Sequence, residues 1–170
     1  MLIEPRRLGR PPPTMVDELA ELWLRAAQTG GAVGFPPDAK LSGVRVSAER
    51  AVARHEAGEI ILLTVRRGGR LLGVVWLEPG HGYIGHRAML LALMVHPHVQ
   101  RMGIGTRLLD ACVELGRELG LEQLYLSTRD KTGLPEYYAA RGWTEIGRFY
   151  DGIRLGPNDY RDEVWFQLRL

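Results

Sequence analysis

Cysteine is nearly absent from this chain, because Cys112 is the single thiol among 170 residues. One cysteine can neither close an internal disulfide nor build a thiolate metal site, so both kinds of covalent or metal staple are excluded. Cys112 falls at an apolar position of a helical pattern. We therefore expect it to be a small residue of the core.

The chain also lacks long apolar runs and dense basic blocks. No segment approaches the roughly 18 apolar residues of a membrane-spanning helix, and residues 1–13 lack the apolar stretch of a signal peptide. The formal net charge is +2, and lysine occurs only at Lys40 and Lys131. These features argue against a membrane or nucleic-acid partner, and we expect a cytoplasmic protein.

The hydrophobic content of 45% over 170 residues is enough to bury a core, and it predicts a single domain, residues 1–170. Apolar periodicity and turn residues predict alternating helices and strands. The predicted helices are 14–28, 47–57, 106–119 and 134–141, and the predicted strands are 60–65, 71–78, 87–95, 124–128, 144–149 and 164–170.

Two glycines follow the most apolar of these strands, in the segment Gln100-Arg101-Met102-Gly103-Ile104-Gly105. The first turn of a helix leaves N–H groups without intrahelical partners and carries partial positive charge, so it stabilises an anion. Glycine at these positions leaves room for a phosphate and permits positive φ where amides converge. The junction therefore predicts a site for a nucleotide-like ligand.

Two common nucleotide motifs do not fit this junction. A dinucleotide fingerprint requires a third glycine where Leu108 stands, and a Walker loop requires Gly-Lys-Ser/Thr, which is absent. The segment does match Gln/Arg-x-x-Gly-x-Gly/Ala, and the run Glu136–Trp143 matches Tyr-x-x-x-Gly-Phe. In both motifs the chain resembles the GNAT superfamily of acyl-CoA-dependent N-acyltransferases, whose glycine turn binds the pyrophosphate of coenzyme A.

The resemblance extends over nearly the whole chain and implies a fold. It is an α/β (α+β) fold with a mixed, mostly antiparallel central sheet, splayed between strands 4 and 5 and flanked by about four helices. The loop Gly30–Phe35, together with Leu93-Met94-Val95, is most similar to the tabtoxin-resistance type of small-molecule acetyltransferase. Since many members are dimers, the resemblance also suggests a homodimer formed through an exposed C-terminal strand.

The resemblance implies roles for individual residues, with acetyl-CoA as cosubstrate and no metal. The Leu93 N–H would polarise the acetyl carbonyl, Val95 would bind the pantetheine amides, and Tyr138 would be the general acid at the thioester sulfur. The cofactor-binding residues that it implies are Leu93, Met94, Val95, Gln100, Arg101, Met102, Gly103, Ile104, Gly105, Thr106, Ser127 and Tyr138.

A general base is not evident from the sequence. The central strand 89–95 has no carboxylate where many GNAT enzymes carry a glutamate, and Ser127 stands where some relatives carry an acid. Histidine has a suitable pKa of about 6.5, and four histidines lie in or beside this strand: His81, His86, His96 and His98. We expect proton removal through ordered water, with His86 or His81 as candidates, and Glu78 as a polar wall of the amine pocket.

The expected function is acetyl transfer from acetyl-CoA to a primary amine of a small molecule, such as an antibiotic or toxin, by direct attack in a ternary complex. Two alternatives stay open. The missing strand carboxylate allows an acyl-CoA-binding regulatory module without turnover. A protein acetyltransferase would need an open groove in place of the pocket that loops 29–43 and 79–85 are long enough to enclose.

Overall fold

A computed structural model describes residues 4–170 of the chain. Within them the helices are α1 (Met15–Gln28), α2 (Leu41–Glu56), α3 (Ile104–Glu118) and α4 (Leu134–Ala139). The strands are β1 (Arg6–Arg7), β2 (Ile61–Arg67), β3 (Arg70–Pro79), β4 (Arg87–Val95), β5 (Gln123–Arg129), β6 (Thr144–Gly156) and β7 (Asp159–Arg169). None of the helices in this range is long and apolar enough to cross a membrane.

The strands form a seven-stranded sheet in the order β1-β2-β3-β4-β5-β7-β6. The pairs β1–β2, β2–β3, β5–β7 and β6–β7 are antiparallel, and β4 and β5 are parallel. The parallel register covers three residues of each strand, from Arg87↔Gln123 to Met89↔Tyr125. The expected mixed, mostly antiparallel sheet is confirmed.

The C-terminal strand is not at the edge of this sheet. Strand β7 pairs with β5 on one side and with β6 on the other, so the edge is β6. The expectation of an exposed C-terminal edge strand is therefore wrong. The alternating pattern of residues 164–170 predicted one buried face correctly, but a period of two says nothing about which strands lie alongside.

The chain forms two compact units. The first comprises the described residues up to Pro79 together with Leu90–Leu115, and the second comprises Gly80–Met89 and Gly116–Leu170. The core of the first unit is built by the apolar faces of α1 and α2 against β2 and β3. Trp23 of α1 donates its indole N–H to the Val33 carbonyl (2.7 Å) and packs edge-on against Phe35 and Trp76.

Helix α2 begins at Leu41, six residues before its predicted start at residue 47. Its buried residues Val44, Ala48, Ala51 and Val52 recur at helical spacing, which extends the apolar face toward the N-terminus. Gly43 had suggested a loop. A Cβ at Gly43 would meet no atom within 4 Å, so this position carries no requirement for glycine and tolerates the helix.

The second unit is a sheet of β5, β7 and β6 with two unlike faces. Leu124 and Leu126 of β5 and Val164 and Phe166 of β7 are buried on one face, and we call this the inner face. The other face carries the alternate residues of the same strands, which are partly exposed: Tyr125, Ser127, Arg129, Glu163, Trp165 and Gln167. We call it the outer face.

Helices pack on the inner face. A Cβ at Gly116 of α3 would lie 2.7 Å from Leu170 Cδ1 and 3.4 Å from Leu124 Cδ2, and Tyr138 of α4 contacts Phe166. Strand β6 extends to Gly156, seven residues beyond the predicted end at 149. A tight turn through Asn158, whose φ is 57°, joins it to β7.

Candidate functional site

Strand β4 contains a residue with left-handed backbone geometry. Ala92 has φ of 50°, a conformation that costs a residue with a Cβ about 1–2 kcal/mol. Such an irregularity rotates the peptide group that follows it out of the regular strand pattern. That group carries the N–H of Leu93, the amide to which the resemblance assigns the acetyl carbonyl. The side chain of Met94 is buried in the core, which leaves its backbone as the part that a ligand can reach.

The glycine turn has the backbone form that an anion site needs. Arg101 and Gly103 have φ of 61° and 79°, and left-handed residues in a turn can orient successive amides toward one side. The first bond of α3 runs from the Arg107 N–H to the Gly103 carbonyl (3.0 Å). The amides of Ile104 and Gly105 therefore precede the hydrogen-bonded part of the helix.

The positive φ expected at Gly103 is confirmed, whereas Gly105 lies inside α3 without one. The second left-handed position is instead Arg101. A Cβ at Gly105 would lie 3.6 Å from Val95 Cγ2, an ordinary contact distance, so neither backbone strain nor packing demands glycine there. The Gln100 amide group closes the turn by donating to the Val95 carbonyl (3.1 Å).

A third glycine seats the start of α3 on the sheet. A Cβ at Gly73 of β3 would lie 2.9 Å from Leu108 Cδ1, 3.2 Å from the Met94 carbonyl oxygen and 3.3 Å from Ile104 Cγ2. Ile104 and Leu108 are buried. The close approach of helix and strand that positions the turn therefore depends on a residue about thirty positions earlier in the chain.

The four histidines lie in two settings. His81 and His86 are exposed. His96 and His98 stack at 5.2 Å between ring centroids, and partial burial, followed by the nearby His98, lowers the pKa of His96. Both border a cavity of about 420 Å³ in the first unit, whose other charged lining residues are Glu18, Glu21 and Arg70. Glu18 is paired with Arg66, and Glu21 with Arg25.

The structure also gives the surroundings of Glu78 and Cys112, which the sequence had singled out. Glu78 forms an ion pair with Arg54 (2.9 Å), which also binds Glu59 (2.9 Å). This pairing accounts for Glu78 without an amine ligand. Cys112 is fully buried, and desolvation raises the pKa of its thiol, as expected for a core residue.

Tyr138 is buried on the inner face of the second unit. Its ring packs against Trp143 (5.8 Å) and Phe166 (6.0 Å), and 5% of the residue is exposed. Helix α4 ends in front of Gly142, where φ is 83°, and this turn returns Trp143 beneath Tyr138. The Tyr-x-x-x-Gly-aromatic motif thus fixes the ring of the expected acid by packing.

A carboxylate that sequence reasoning missed lies on the outer face. The Ser127 hydroxyl donates to Glu163 Oε1 at 2.7 Å, because the register of β5 and β7 places Ser127 opposite Trp165 and Arg129 opposite Glu163. Tyr125 stacks on Trp165 (6.4 Å). The predicted strand began at Val164, one residue too late to include Glu163. A signal existed, since Glu163, Trp165 and Gln167 continue the same alternation.

Comparison with known proteins agrees with this fold and these motifs. A family model described as the acetyltransferase (GNAT) family matches residues 17–143. Mycothiol acetyltransferase from Arthrobacter sp. (strain FB24) is 34% identical over 103 residues, which is 58% of this chain and 30% of that protein. The chain thus spans about 30% of the length of this curated relative.

Solved structures share the fold at low identity. Ribosomal-protein-alanine N-acetyltransferase from Brucella melitensis superposes with a TM-score of 0.75 at 17% identity, covering 98% of this chain and 99% of that one. Aminoglycoside 6'-N-acetyltransferase, complexed with coenzyme A, gives 0.72 at 18% identity, covering 99% and 97%. Since the family model matches well over half of its residues, the chain belongs to the acetyltransferase (GNAT) family.

Proposed function

We propose that residues 1–170 act as one N-acetyltransferase domain that transfers acetyl from acetyl-CoA to a primary amine of a small molecule in the cytoplasm. The observation that carries this proposal is the turn at residues 100–106, with left-handed residues at Arg101 and Gly103 before the start of α3. Amides in this arrangement suit a pyrophosphate. The amine attacks the thioester directly, in a ternary complex.

In this proposal the backbone does most of the cofactor binding. Amides of Arg101, Met102, Gly103, Ile104, Gly105 and Thr106 hold the pyrophosphate, and Gln100 closes the turn. Leu93 donates its N–H to the acetyl carbonyl, and Met94 and Val95 bind pantetheine through backbone groups. A fixed donor at a carbonyl that becomes negative lowers the barrier, and holding the two reactants together contributes on the order of 7–11 kcal/mol in well-oriented systems.

Two residues of the second unit complete the proposal. Tyr138 donates a proton to the departing thiolate, and its packed ring supports this role by limiting the positions of its hydroxyl. Ser127 contributes to the cofactor site through its backbone, because its hydroxyl is engaged by Glu163 (2.7 Å). The position of Tyr138 in the Tyr-x-x-x-Gly-aromatic motif supports its role, and Ser127 stands at the end of β5, where some relatives carry an acid.

Two observations favour a small-molecule acceptor over a protein. The curated relative is named for mycothiol, whereas among the structural neighbours one is named for aminoglycosides and three for ribosomal proteins. The tabtoxin-type loop, Gly30–Phe35, is held in place by Trp23, which contacts both Val33 and Phe35. A protein acceptor stays the second candidate, since three neighbours are named for ribosomal proteins.

We also propose a homodimer, formed through β6 as the edge of the sheet. An unpaired strand edge offers a row of backbone donors and acceptors to a second strand. Large apolar side chains other than Phe149 are also exposed along β6: Ile146, Tyr150 and Leu155. Sedimentation of the purified chain would show a dimer, and a monomer at all concentrations would remove this part of the proposal.

The test of the proposed function uses calorimetry with acetyl-CoA and thiol release with a panel of primary amines. We expect acetyl-CoA to bind and at least one amine to release coenzyme A. Binding without release from any amine would support the regulatory module instead. If acetyl-CoA does not bind, both the acetyltransferase and the regulatory-module hypotheses are excluded.

Gly105→Ala separates ligand binding from folding. A Cβ at this position makes only an ordinary contact, 3.6 Å from Val95 Cγ2, and alanine favours a helix by up to about 1 kcal/mol over glycine. We expect stability to be unchanged or raised, while the affinity for acetyl-CoA falls about tenfold because the new methyl group meets the pyrophosphate. Gly43→Ala in α2, with open space, is the matched control, and its affinity should stay unchanged.

A further inference from the structure

The outer face of the second unit carries a carboxylate held in a fixed position. Glu163 receives the Ser127 hydroxyl on Oε1 at 2.7 Å, and a carboxylate has acceptor sites on both oxygens. One hydrogen bond therefore orients the group and leaves capacity for a ligand. We propose that Glu163 binds the ammonium group of the acceptor amine and takes up its proton, with Ser127 as the positioning residue. This inference rests on the proposed function.

Aromatic rings flank this carboxylate. Phe149 of β6 lies directly opposite Glu163 in the register, and 61% of it is exposed. Trp165 follows two residues along β7 on the same face and stacks with Tyr125. Aromatic faces attract cations by about 0.5–2 kcal/mol, with tryptophan the strongest. A carboxylate between two rings suits a primary ammonium on an apolar or aromatic body.

Two arginines lie near this site, and the acidic side chains beside it, Asp130 and Asp162, are engaged by the Asp162 N–H and by Arg148. Arg129 is the register partner of Glu163 on β5, and the guanidinium of Arg87 lies over the Tyr125 ring at 5.0 Å. Acidic ligands would meet both arginines, so the selectivity for a cation depends on Glu163. This dependence makes a single substitution informative.

The proposed acid and the proposed base lie on opposite faces of the same strand. Tyr138 contacts Phe166 on the inner face of β7, and Glu163 lies three residues earlier on the outer face. In thioester aminolysis the nucleophile enters and the thiolate leaves by different directions at the tetrahedral carbon. The base acts at the nitrogen and the acid at the sulfur, so the two steps call for two different groups.

The reaction balances with these two groups. The N–C bond forms, the C–S bond breaks, and the ammonium nitrogen loses two protons overall. One proton is balanced by the proton that ends on the sulfur of coenzyme A, and the other leaves to solvent by way of the Glu163 carboxylate. From the sequence alone we expected ordered water in this role, with His86 or His81 as candidates. General bases of this kind contribute typically 10²–10⁴-fold.

The test compares Glu163→Gln, which keeps an acceptor for Ser127, with Glu145→Gln. Glu145 pairs with Arg148 (2.6 Å) on the same hairpin, lies opposite the inner-face residue Phe166 and makes the same change of charge. We expect Glu163→Gln to lower kcat/KM by about 100-fold or more, with acetyl-CoA affinity and Tm unchanged, while Glu145→Gln keeps its activity. Ser127→Ala should lower kcat about tenfold, and Ser127→Thr should restore it.

A second readout does not need turnover. Ligand-detected NMR with benzylammonium chloride should show binding to the wild-type chain, at least tenfold weaker binding to Glu163→Gln, and weaker binding of benzoate. Equal binding of benzylammonium to both proteins, or no binding to the wild type, would overturn the inference. Acetyl transfer by the wild type that Glu163→Gln fully retains would overturn it too, while leaving the proposed function intact. A wild type that binds benzylammonium through Glu163 but never transfers acetyl would remove the function as proposed and leave an ammonium site.

Discussion

The turn at residues 100–106 and the outer face around Glu163 are built in opposite ways. The turn uses the backbone of one short segment, and its form is set by left-handed residues at Arg101 and Gly103. The Glu163 site uses side chains from strands whose bonded residues lie 36 positions apart. Because of this difference, we expect the two sites to tolerate different substitutions. The turn should depend on φ and on space, and the outer face should depend on side-chain chemistry and on strand register.

Gly73→Val tests whether the turn at residues 100–106 depends only on its own segment or also on the contact of α3 with β3. The new side chain would meet the Met94 carbonyl oxygen and the side chains of Leu108 and Ile104 at the start of α3. Overpacking of this kind typically costs about 1–3 kcal/mol, and backbone cannot give way as a flexible side chain can. We expect lower stability in urea and weaker acetyl-CoA binding together.

Gly73→Ala serves as the graded comparison for this change. Its single methyl group should cause the same two losses to a smaller extent, because the Leu108 methyl can move and the carbonyl oxygen cannot. If the valine variant loses stability but keeps full acetyl-CoA affinity, the turn does not depend on the close contact between α3 and β3. Unfolding in urea and calorimetry on the same samples provide both values.

Arg101→Gly tests whether the turn depends on its backbone conformation, as proposed. Arg101 has φ of 61°, which costs a residue with a Cβ about 1–2 kcal/mol, whereas glycine adopts it freely but loses more entropy on folding. We expect a net stabilisation below about 1 kcal/mol. In the proposed site the backbone amides bind the pyrophosphate, so acetyl-CoA affinity should fall less than tenfold.

A larger loss of affinity would mean that the guanidinium, and not the backbone, is the main contact of the phosphates. Arg101→Lys distinguishes these cases further, because it keeps the positive charge and the strain in φ. If charge dominates, the lysine variant should retain affinity while the glycine variant loses it. If the backbone dominates, the two variants should bind acetyl-CoA almost equally.

The difference between the two sites also explains what could be predicted from the sequence. The strand, glycine turn and helix around residues 100–106 lie within one window, so spacing alone indicated the site and its positive φ at Gly103. The Ser127–Glu163 pair depends on β7 lying beside β5. No local pattern contains that information, and a predicted strand that began at Val164 excluded the carboxylate by one residue.

The same reasoning applies to the fold. Strand β4 was predicted because its apolar run is nearly unbroken, and the amphipathic helices α1 and α3 were predicted because their periodicity is strong. Helix α2 was predicted too short because Gly43 resembles a loop residue in sequence, although its surroundings are open. Strand β6 was predicted too short because it is exposed along its length, and an exposed strand held by its neighbour lacks the apolar alternation that marks a strand.

The smallest expected effect concerns the pH dependence of stability. His96 lies between the end of β4 and the turn at residues 100–106, and its side chain is titratable. Partial burial and the nearby His98 lower its pKa from the ordinary 6.5. The unfolded chain then binds this proton more tightly than the folded one, so the contribution of His96 to stability should be constant above about pH 6.5 and should fall as the pH drops below it. NMR titration of the imidazole resonances should place His96 below 6.5, and His98→Ala should move it upward by removing one like charge. Urea unfolding at pH 5.5 and 7.5 should show a smaller pH dependence in that variant than in the wild type. If His96 titrates at 6.5 or above, solvent and the Glu21 carboxylate, which favours the protonated form, outweigh burial. The His96 side chain would then not lower the stability of the fold below pH 6.5.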